Sequence, residues 1–554
     1  MGALTSEALG RLTTWVARRM ARDGTPGLSL AITGRYALVH ASGHGLADVA
    51  AGTPVTPAHL FETGSIGKSF TAVALLRLAE EGLVDVQAPV TDYLPWFSVR
   101  SDHEPIRLHH LLTHTAGITS GIDGAPAGAI QVWALRDAVA TTPPGTYFHY
   151  SNVGYKVLGE VLRAVTGESY GDTIHRLVLD PLGLVDSVPT ITTDVRPRLA
   201  VGYGPMHDDR PWWPGRPLAP ATWLETDTAD GCLAMTAADL AAYLRMLLGH
   251  GVADGRHLLS EEGFALLTQR AIPTDEPPVE SWYGYGVETT IVDGRTRVGH
   301  GGGMVGYFAG MIGDLASGIG AVALVNGPGA PNLIARTALA FAVAEAEGTP
   351  FAFPDLDDPE EIDGAADFAG DYVAVEGRDG PSRLSIVADG PALTVAASGA
   401  APGAAAPIRS DDPDELLTAA PGLDRFPIRF RRDGGQSIRQ ATYGDTVYVP
   451  AGAPAHEPVD PPADQAAYPG HYRSHNPWTP SIRVLLRQGR LWLSIAAVPD
   501  GLQAEQPLVP IADGKFRAGD DPRIPERIRF DVLIDGRTHV AHLSGCDFYR
   551  VNEP

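Results

Sequence analysis

Phe61-Glu-Thr-Gly-Ser65-Ile-Gly-Lys68-Ser-Phe-Thr-Ala-Val-Ala-Leu-Leu is the stretch that decides the fold and the chemistry of this chain. Its apolar second half predicts a helix over 65–81, closed by Gly82. Ser65 stands at the helix N-terminus and Lys68 follows at i+3, so both side chains share one face. A neutral lysine there can take the serine proton, and the helix N-terminus stabilises negative charge nearby. The structural alternative is an N-cap serine beside a solvent-exposed lysine.

Lysine is scarce in this chain, and its scarcity favours the chemical interpretation. Only Lys68, Lys156 and Lys515 occur, whereas the other 39 of the 42 basic residues are arginines. Arginine stays protonated in a protein, but a buried lysine can lose its proton. Each lysine therefore needs an explanation. We interpret Lys156 as structural and Lys515 as a turn residue.

Composition excludes several classes of protein. The 554 residues carry 42 basic and 66 acidic side chains, a net charge of −24, so we expect no nucleic-acid partner. Two cysteines, Cys232 and Cys546, are too few for a disulfide scaffold or a cysteine zinc site. No run approaches about 18 apolar residues, so no membrane span is expected. Residues 1–24 predict an amphipathic helix and not a signal peptide, which favours a cytoplasmic protein.

Two further stretches carry groups that suit nucleophilic catalysis. Residues 145–152 (GTYFHYSN) precede a predicted helix, and Tyr150 and Asn152 alternate so that both can point the same way. A phenol can shuttle a proton and an amide can orient a substrate carbonyl or amine. The alternative is a buried tyrosine and an Asn N-cap. Residues 296–307 (TRVGHGGGMVGY) place His300 before glycines that let a backbone pass close to a ligand. The alternative there is a glycine-rich turn with an incidental histidine.

In this order and at these separations, the three motifs resemble one family of serine acyl-transfer enzymes: class C β-lactamases, penicillin-binding proteins and D-aminopeptidases. That family carries S-x-x-K, then Y-x-N, then K-T-G or H-x-G on a strand. Residues 108–117 (LHHLLTHTAG) and 155–160 (YKVLGE) look similar to the same family. The resemblance covers residues 1–345. It implies an α/β (α+β) β-lactamase-like domain, in which helices flank an antiparallel sheet.

The resemblance also implies a role for each motif residue. Ser65 matches the nucleophile, and Lys68 matches the base or proton relay that activates it. Tyr150 matches the residue that passes the proton to the leaving group and later activates water. The other implied site residues are Asn152 as the substrate-orienting amide, His300 of the third motif, Gly301 and Gly302 as substrate-binding residues, and the backbone N–H groups of Ser65 and Gly303 as the oxyanion hole.

Metal and cofactor chemistry is not expected. His110 and His114 stand at i and i+4, but no Glu pattern of the HExxH type accompanies them. The segment around them matches the family as a structural stretch. We therefore expect neither a metal nor an organic cofactor.

The helical and strand patterns of residues 1–345 indicate a sheet completed by both ends of the segment. The predicted helices cover 4–22, 65–81, 152–166, 237–248 and 331–347, and strand-like runs cover 27–33, 37–42, 283–300 and 307–325.

The rest of the chain predicts two copies of one small antiparallel, lipocalin-like barrel. Residues 349–365 and 451–466 are rich in proline and indicate linkers. FAGDY at 368–372 opens one copy and YPGHY at 468–472 opens the other, and each copy closes on an aromatic strand. The predicted domains are thus 1–348, 366–450 and 467–554. One larger β domain with chance similarity is the alternative.

The third motif bears on the substrate. A histidine with an ordinary pKa of about 6.5 is mostly neutral at pH 7, so it cannot replace the fixed charge of the K-T-G lysine. H-x-G followed by two barrels resembles the D-aminopeptidase branch, in which a loop of the last barrel screens substrates. The matching hairpin here is 497–505 (AVPDGLQAE).

The resemblance therefore implies a serine hydrolase that forms an acyl-enzyme and releases N-terminal D-amino acids from peptides or amides. An esterase or lactonase, an acyltransferase or peptide cyclase of the penicillin-binding-protein type, and a catalytically silent relative remain alternatives. The expected partner is a small-molecule or peptide substrate. A homo-oligomer stays open, as do the substrate side chain and the role of the barrels.

Overall fold

The computed structural model describes residues 4–121, 127–274, 279–356, 358, 360–398, 405–409, 412–434, 437–453, 462–496 and 504–551. The chain divides into two compact units. The first comprises Met1–Gly204 and Pro217–Pro354, and the second comprises Pro205–Arg216 and Asp355–Pro554. The sequence patterns gave no sign that the short segment 205–216 would belong with the C-terminal part of the chain.

A nine-stranded antiparallel sheet forms the centre of the first unit. Its strands are β1 (Gly27–Gly34), β2 (Leu38–Asp48), β3 (Thr53–Pro54), β4 (Ile272–Pro273), β5 (Glu280–Tyr283), β6 (Glu288–Val292), β7 (Arg295–Met304), β8 (Tyr307–Asp314) and β9 (Ile319–Val325). They lie in the order β4-β5-β6-β7-β8-β9-β1-β2-β3. In the β1–β9 pairing, Leu30 lies opposite Ala323. Strands from both ends of the segment thus meet inside one sheet, and this prediction is confirmed.

Among the described residues of the first unit, five helices have 12 or more residues. They are α1 (Ser6–Asp23), α2 (Gly67–Glu80), α3 (Asn152–Thr166), α4 (Ala237–Leu248) and α5 (Pro331–Glu347). The predicted bounds of α3, α4 and α5 are confirmed, because each helix ends before a glycine. The helix predicted from Ser65 begins instead as a 3₁₀ turn, Gly64–Ile66, before α2.

The sheet of the first unit is covered on both faces by helices. Gly313 and Gly310 of β8 are three residues apart, so they face opposite sides of the strand. A Cβ at Gly313 would meet Leu244 and Leu248 of α4, whereas one at Gly310 would meet the start of α5. β1 and β9 are accordingly buried along their whole length. Both faces of the sheet therefore belong to the core, and this core supports the loops that carry the site.

The second unit contains two eight-stranded antiparallel sheets, in agreement with the predicted barrels. The first comprises β10 (Gly370–Glu376), β11 (Arg383–Asp389), β12 (Ala392–Ala397), β13 (Pro407–Arg409), β14 (Glu415–Thr418), β15 (Ile428–Asp433), β16 (Ser437–Tyr443) and β17 (Thr446–Pro450). The second comprises β18 (Gly470–Arg473), β19 (Ser481–Arg487), β20 (Arg490–Ser494), β21 (Glu505–Ala512), β22 (Lys515–Ala518), β23 (Arg527–Ile534), β24 (Arg537–Leu543) and β25 (Cys546–Arg550). The second sheet closes through β18 and β25. The first is nearly closed, with a bridge between Val395 and Ala405.

The two sheets share a detail that the sequence repeat predicts. The Tyr372 hydroxyl donates to the carbonyl of Phe368, four residues earlier, and the Tyr472 hydroxyl donates to that of Tyr468. Each tyrosine also lies in its own apolar core. The first segments of the two copies, 368–372 and 468–472, therefore make the same tyrosine hydrogen bond and each place a tyrosine in the core of their own sheet. Most of the hairpin proposed at 497–505 lies outside the described residues.

Short elements complete the described structure. They are the α-helices Val90–Tyr93, Leu108–Leu112, Gly128–Ala134, Tyr170–Ile174, Asp180–Leu182, Glu261–Leu267 and Ala365–Phe368, the π-helix His175–Leu179, the 3₁₀ turns Leu135–Asp137, Arg196–Arg198 and Ala463–Ala467, and the strands Phe61–Glu62, Tyr203–Pro205, Leu218–Pro220, Ala234–Met235, Val252–Ala253 and Arg256–His257. Within the ranges that the structure describes, none of the helices combines the length and the apolar character needed to cross a bilayer.

Candidate active site

The turn that carries Ser65 is held by short backbone pairings. The strand Phe61–Glu62 pairs with Ala234–Met235, and the N–H of Thr63 donates to the carbonyl of Leu233. Gly64 then adopts φ +54°, a left-handed conformation that favours glycine. The chain thereby enters the 3₁₀ turn with Ser65 at its centre, directly before α2.

Ser65 and Lys68 are in direct contact, as their spacing predicts. Lys68 Nζ donates to Ser65 Oγ at 2.9 Å and to the carbonyl of Asp230 at 2.7 Å. The Lys68 side chain is 0% exposed, and Ser65 is 8% exposed. The alternative of a solvent-exposed lysine is therefore wrong. Burial disfavours an ammonium ion, so the surroundings suit a lysine that gives up and takes back a proton.

Tyr150 lies over the same lysine. The Lys68 Nζ is 4.8 Å from the centre of the Tyr150 ring. Asn152 is the first residue of α3, but the helix is capped by Ser151, whose Oγ accepts the N–H of Gly154 at 3.1 Å. The Asn152 amide is thus not the N-cap, and that structural alternative is wrong.

His114 fixes the backbone on both sides of Tyr150. Its carbonyl accepts the N–H of His149 at 2.8 Å, and its Nδ1 accepts the N–H of Ser151 at 2.9 Å. Its ring packs on the Tyr150 ring with 4.2 Å between centroids. Complete burial holds the pKa of His114 well below its usual value, and the Lys68 charge adds to this. His114 therefore acts as a neutral support for Tyr150.

His300 is buried behind the site and is engaged on both ring nitrogens. Its Nδ1 faces the carbonyl of Gly301, so Nδ1 carries the proton. Its Nε2 then accepts the Tyr283 hydroxyl at 2.9 Å. Burial is the main cause that lowers the pKa of His300 to about 4, and Lys68, when protonated, makes a smaller contribution in the same direction. The expected neutral state of this histidine thus has a structural cause.

The glycines after His300 let strand β7 run against the Ser65 turn. A Cβ at Gly302 would lie 1.9 Å from the carbonyl oxygen of Thr63 and 3.2 Å from the Ser65 nitrogen. A Cβ at Gly64 would lie 2.5 Å from the Gly303 nitrogen. The backbones at Ser65 and Gly303, the predicted oxyanion hole, are therefore neighbours, and neither approach leaves room for a side chain.

Glu62 is a buried acid three residues before Ser65. It is 3% exposed, and burial raises its pKa from 4.5 to about 8. A carboxyl with that pKa is mostly protonated at pH 7, so it adds little negative charge beside the nucleophile turn. No sequence motif indicates a role for this residue.

The neighbouring histidines His109 and His110, in the segment that could suggest a metal site, have hydrogen-bond partners within the protein. The His109 Nδ1 lies 2.7 Å from the Tyr285 hydroxyl, and the His110 Nδ1 accepts the N–H of Arg107. Over the described part of the chain, no three His, Cys, Asp or Glu side chains form a group that could hold a metal ion. Cys232 is buried and its Sγ contacts the carbonyl of Pro189.

The structure thus brings together Ser65, Lys68, Tyr150 and the glycines of β7, and it places His300 behind them. Besides Glu62, three residues around this site are not indicated by the sequence. They are Asp230, His114 as a support of Tyr150, and Tyr283. Their contacts join distant parts of the chain, so no local spacing could have indicated them.

Comparison with known proteins identifies relatives of this chain. The family model described as Beta-lactamase matches residues 12–345. Penicillin-binding protein 4 of Amycolatopsis lactamdurans is 29% identical over 321 residues, which cover 54% of this chain and 81% of that protein.

Solved structures also resemble this chain. The octameric penicillin-binding protein homologue from Pyrococcus abyssi aligns with a TM-score of 0.58 and 26% identity, covering 80% of this chain and 99% of that chain. The D-amino acid amidase from Ochrobactrum anthropi SV3 aligns with a TM-score of 0.50 and 23% identity, covering 62% of this chain and 99% of that chain. At that identity the second likeness concerns the fold alone.

Proposed function

The chain belongs to the beta-lactamase family, and on that premise we propose that it is a serine hydrolase whose Ser65 forms a covalent acyl-enzyme. The observation that carries the proposal is the 2.9 Å contact between Ser65 Oγ and the fully buried Lys68 Nζ. A nucleophile paired with a buried amine at a helix N-terminus is the arrangement that activates a serine.

The mechanism follows from the contacts around Ser65. Ser65 Oγ attacks the acyl carbon of the substrate while Lys68 Nζ, in its neutral form, takes the hydroxyl proton. The N–H groups of Ser65 and Gly303 stabilise the oxyanion. Tyr150, next to Lys68, passes the proton to the leaving amine or alcohol as the bond to the acyl carbon breaks. Asn152 orients the substrate.

The second half of the reaction releases the acyl group. Water enters after the leaving group departs, and Tyr150 with Lys68 takes its proton. The resulting hydroxide attacks the acyl carbon, and Ser65 leaves with a proton returned from the same pair. The enzyme is thereby regenerated without any group beyond those of the chain and water.

The finer proposal is release of N-terminal D-amino acids from peptides or amides. A neutral His300, held by Tyr283, offers no fixed positive charge for a substrate carboxylate. This supports substrates whose recognised end is an amine. The two eight-stranded sheets after residue 366 add the layout of the D-aminopeptidase branch. The same neutral histidine also suits an ester or lactone, so an esterase is the second candidate, and an acyltransferase shares its acyl-enzyme.

The first experiment compares three substrates. We expect release of p-nitroaniline from D-alanine p-nitroanilide faster than from the L-isomer, and loss of that activity in Ser65→Ala. Cleavage of p-nitrophenyl butyrate alone would overturn the D-selective proposal and favour the esterase. Product analysis with an added amine separates hydrolysis from acyl transfer.

Failure of a fluorophosphonate to label Ser65 would contradict the serine mechanism itself and favour a silent relative.

Assembly is a further part of the proposal. The Pyrococcus abyssi homologue is octameric and its whole chain aligns with most of this one. We expect this protein to form a homo-oligomer too. Light scattering coupled to size-exclusion chromatography measures the molar mass, and a value near 58.5 kDa, the mass of one chain, would refute the expectation.

A further inference from the structure

A second buried lysine lies close to the proposed catalytic lysine. Lys156, on α3, is 8% exposed, and its Nζ donates to Gln131 Oε1 at 2.6 Å. The same Nζ lies 3.6 Å from the Asp230 carboxylate oxygen Oδ2. Two of the three lysines in the chain are therefore buried around one residue, Asp230.

Asp230 contacts the two lysines through different groups. Its backbone carbonyl accepts a hydrogen bond from Lys68 Nζ at 2.7 Å, whereas its carboxylate faces Lys156. The carboxylate is 16% exposed, and its Oδ1 is buried without a hydrogen-bond partner. Burying a carboxylate with one oxygen that accepts no hydrogen bond destabilises the folded state unless a cation lies near it. The ion pair with Lys156 thus holds residue 230 where its carbonyl meets Lys68.

We propose that Lys156 and Asp230 are positioning residues, which fix the carbonyl of residue 230 on Lys68 and together set how readily the reactive centre loses its proton. The inference rests on the proposed role of Lys68 as the base. The two charges of the pair act on Lys68 with opposite signs in the native protein. Removal of either charge leaves the other one uncompensated in a medium of low dielectric constant.

Other titratable groups face this centre. Tyr150, Tyr155, His114 and His300 surround Lys68, and Tyr170 and Cys232 lie beside Asp230. Burial lowers the pKa of both histidines and raises the pKa of Tyr155, Tyr170 and Cys232. These five groups therefore do not titrate near neutral pH. Glu62, which also acts on Cys232, has a pKa of about 8, but it is the same in every variant compared. A charge on the pair acts on the Lys68–Tyr150 unit, whichever of the two gives up the proton.

The test is the pH dependence of Ser65 labelling. The second-order rate constant for a fluorophosphonate is measured from pH 5 to pH 10, and the midpoint of its acidic limb is compared among variants. Lys156→Met leaves the Asp230 charge, which favours the protonated centre, so the midpoint rises by about one pH unit. Lys156→Arg keeps the positive charge, so its midpoint stays at that of the wild type.

A second pair of variants tests the opposite sign. Asp230→Asn in the Lys156→Arg background leaves a cation that cannot lose its proton, so the midpoint falls by about one pH unit. Lys156→Met combined with Asp230→Asn removes both charges and returns the midpoint toward the wild-type value. A merely structural role would lower the rate at every pH and leave all midpoints in place.

Each outcome decides one question. Opposite midpoint shifts that cancel in the double variant support the inference. Unchanged midpoints, or shifts of the same sign, overturn it while labelling of the wild type upholds the serine mechanism. Absence of labelling in the wild type instead refutes the proposed function. The rate constants are compared only over the pH range in which each variant is shown by circular dichroism to be folded, so a less stable variant still gives an answer.

Discussion

Gly302→Ala is the sharpest perturbation of the proposed oxyanion hole. The new Cβ would lie 1.9 Å from the carbonyl oxygen of Thr63. Carbon–oxygen contacts of this kind are normally no shorter than about 3.3 Å, so the two backbones must separate by about 1.4 Å. The backbone alone sets the positions of this Cβ and of the Thr63 carbonyl oxygen, so no rotamer change can relieve the contact. The clash therefore displaces β7 from the Ser65 turn.

The displacement acts on Gly303, the next residue of β7. If its N–H moves with the strand, a hydrogen bond of about 2.9 Å to the oxyanion lengthens beyond about 4 Å and is lost. Loss of one such donor lowers kcat by about 10²- to 10³-fold. The assay is the rate constant for hydrolysis of the best substrate found, together with the rate of fluorophosphonate labelling of Ser65.

Gly303→Ala is the matched control. Its Cβ would lie 3.5 Å from the Phe308 ring, an ordinary contact, and its N–H remains in place. We expect activity within about threefold of the wild type, although Gly303 itself supplies the proposed donor. Equal activities of the two variants, with similar thermal unfolding, would refute the reasoning that the close approach at Gly302 builds the oxyanion hole.

Three more predictions follow from single contacts. Lys68→Arg keeps a charge but cannot lose a proton, so labelling of Ser65 falls at least about 10²-fold in a protein that still unfolds cooperatively; near-normal labelling would exclude Lys68 as the base. Glu62 ionises near pH 4.5 when unfolded but near pH 8 when folded, so its contribution to the free energy of unfolding falls as pH rises through that window. Glu62→Gln should therefore gain about 4 kcal/mol relative to the wild type between pH 4.5 and pH 8 in urea unfolding, and a constant difference would contradict the buried acid. Tyr283→Phe leaves His300 Nε2 buried without its donor and should lower the free energy of unfolding by about 1–3 kcal/mol; an unchanged urea midpoint would count against this hydrogen bond.

The sequence alone determined the local features of this protein. The bounds of α3, α4 and α5 could be predicted because apolar periodicity and terminal glycines act within a few residues. The Ser65–Lys68 contact follows from i+3 geometry. The two barrels were predicted from repeated openings at 368–372 and 468–472, since similar sequences fold alike. The resemblance of the three motifs, in their order, to one enzyme family indicated a role for each motif residue.

Tertiary structure alone decided the surroundings of those residues. His114 supports Tyr150 across 36 positions, and Asp230 meets Lys68 across 162. His300 is neutral because folding buries it against Tyr283. Desolvation and long-range hydrogen bonds arise only when distant segments pack together. A spacing rule reaches one helical turn or one hairpin, so it can name a nucleophile and its base but not the groups that hold and tune them.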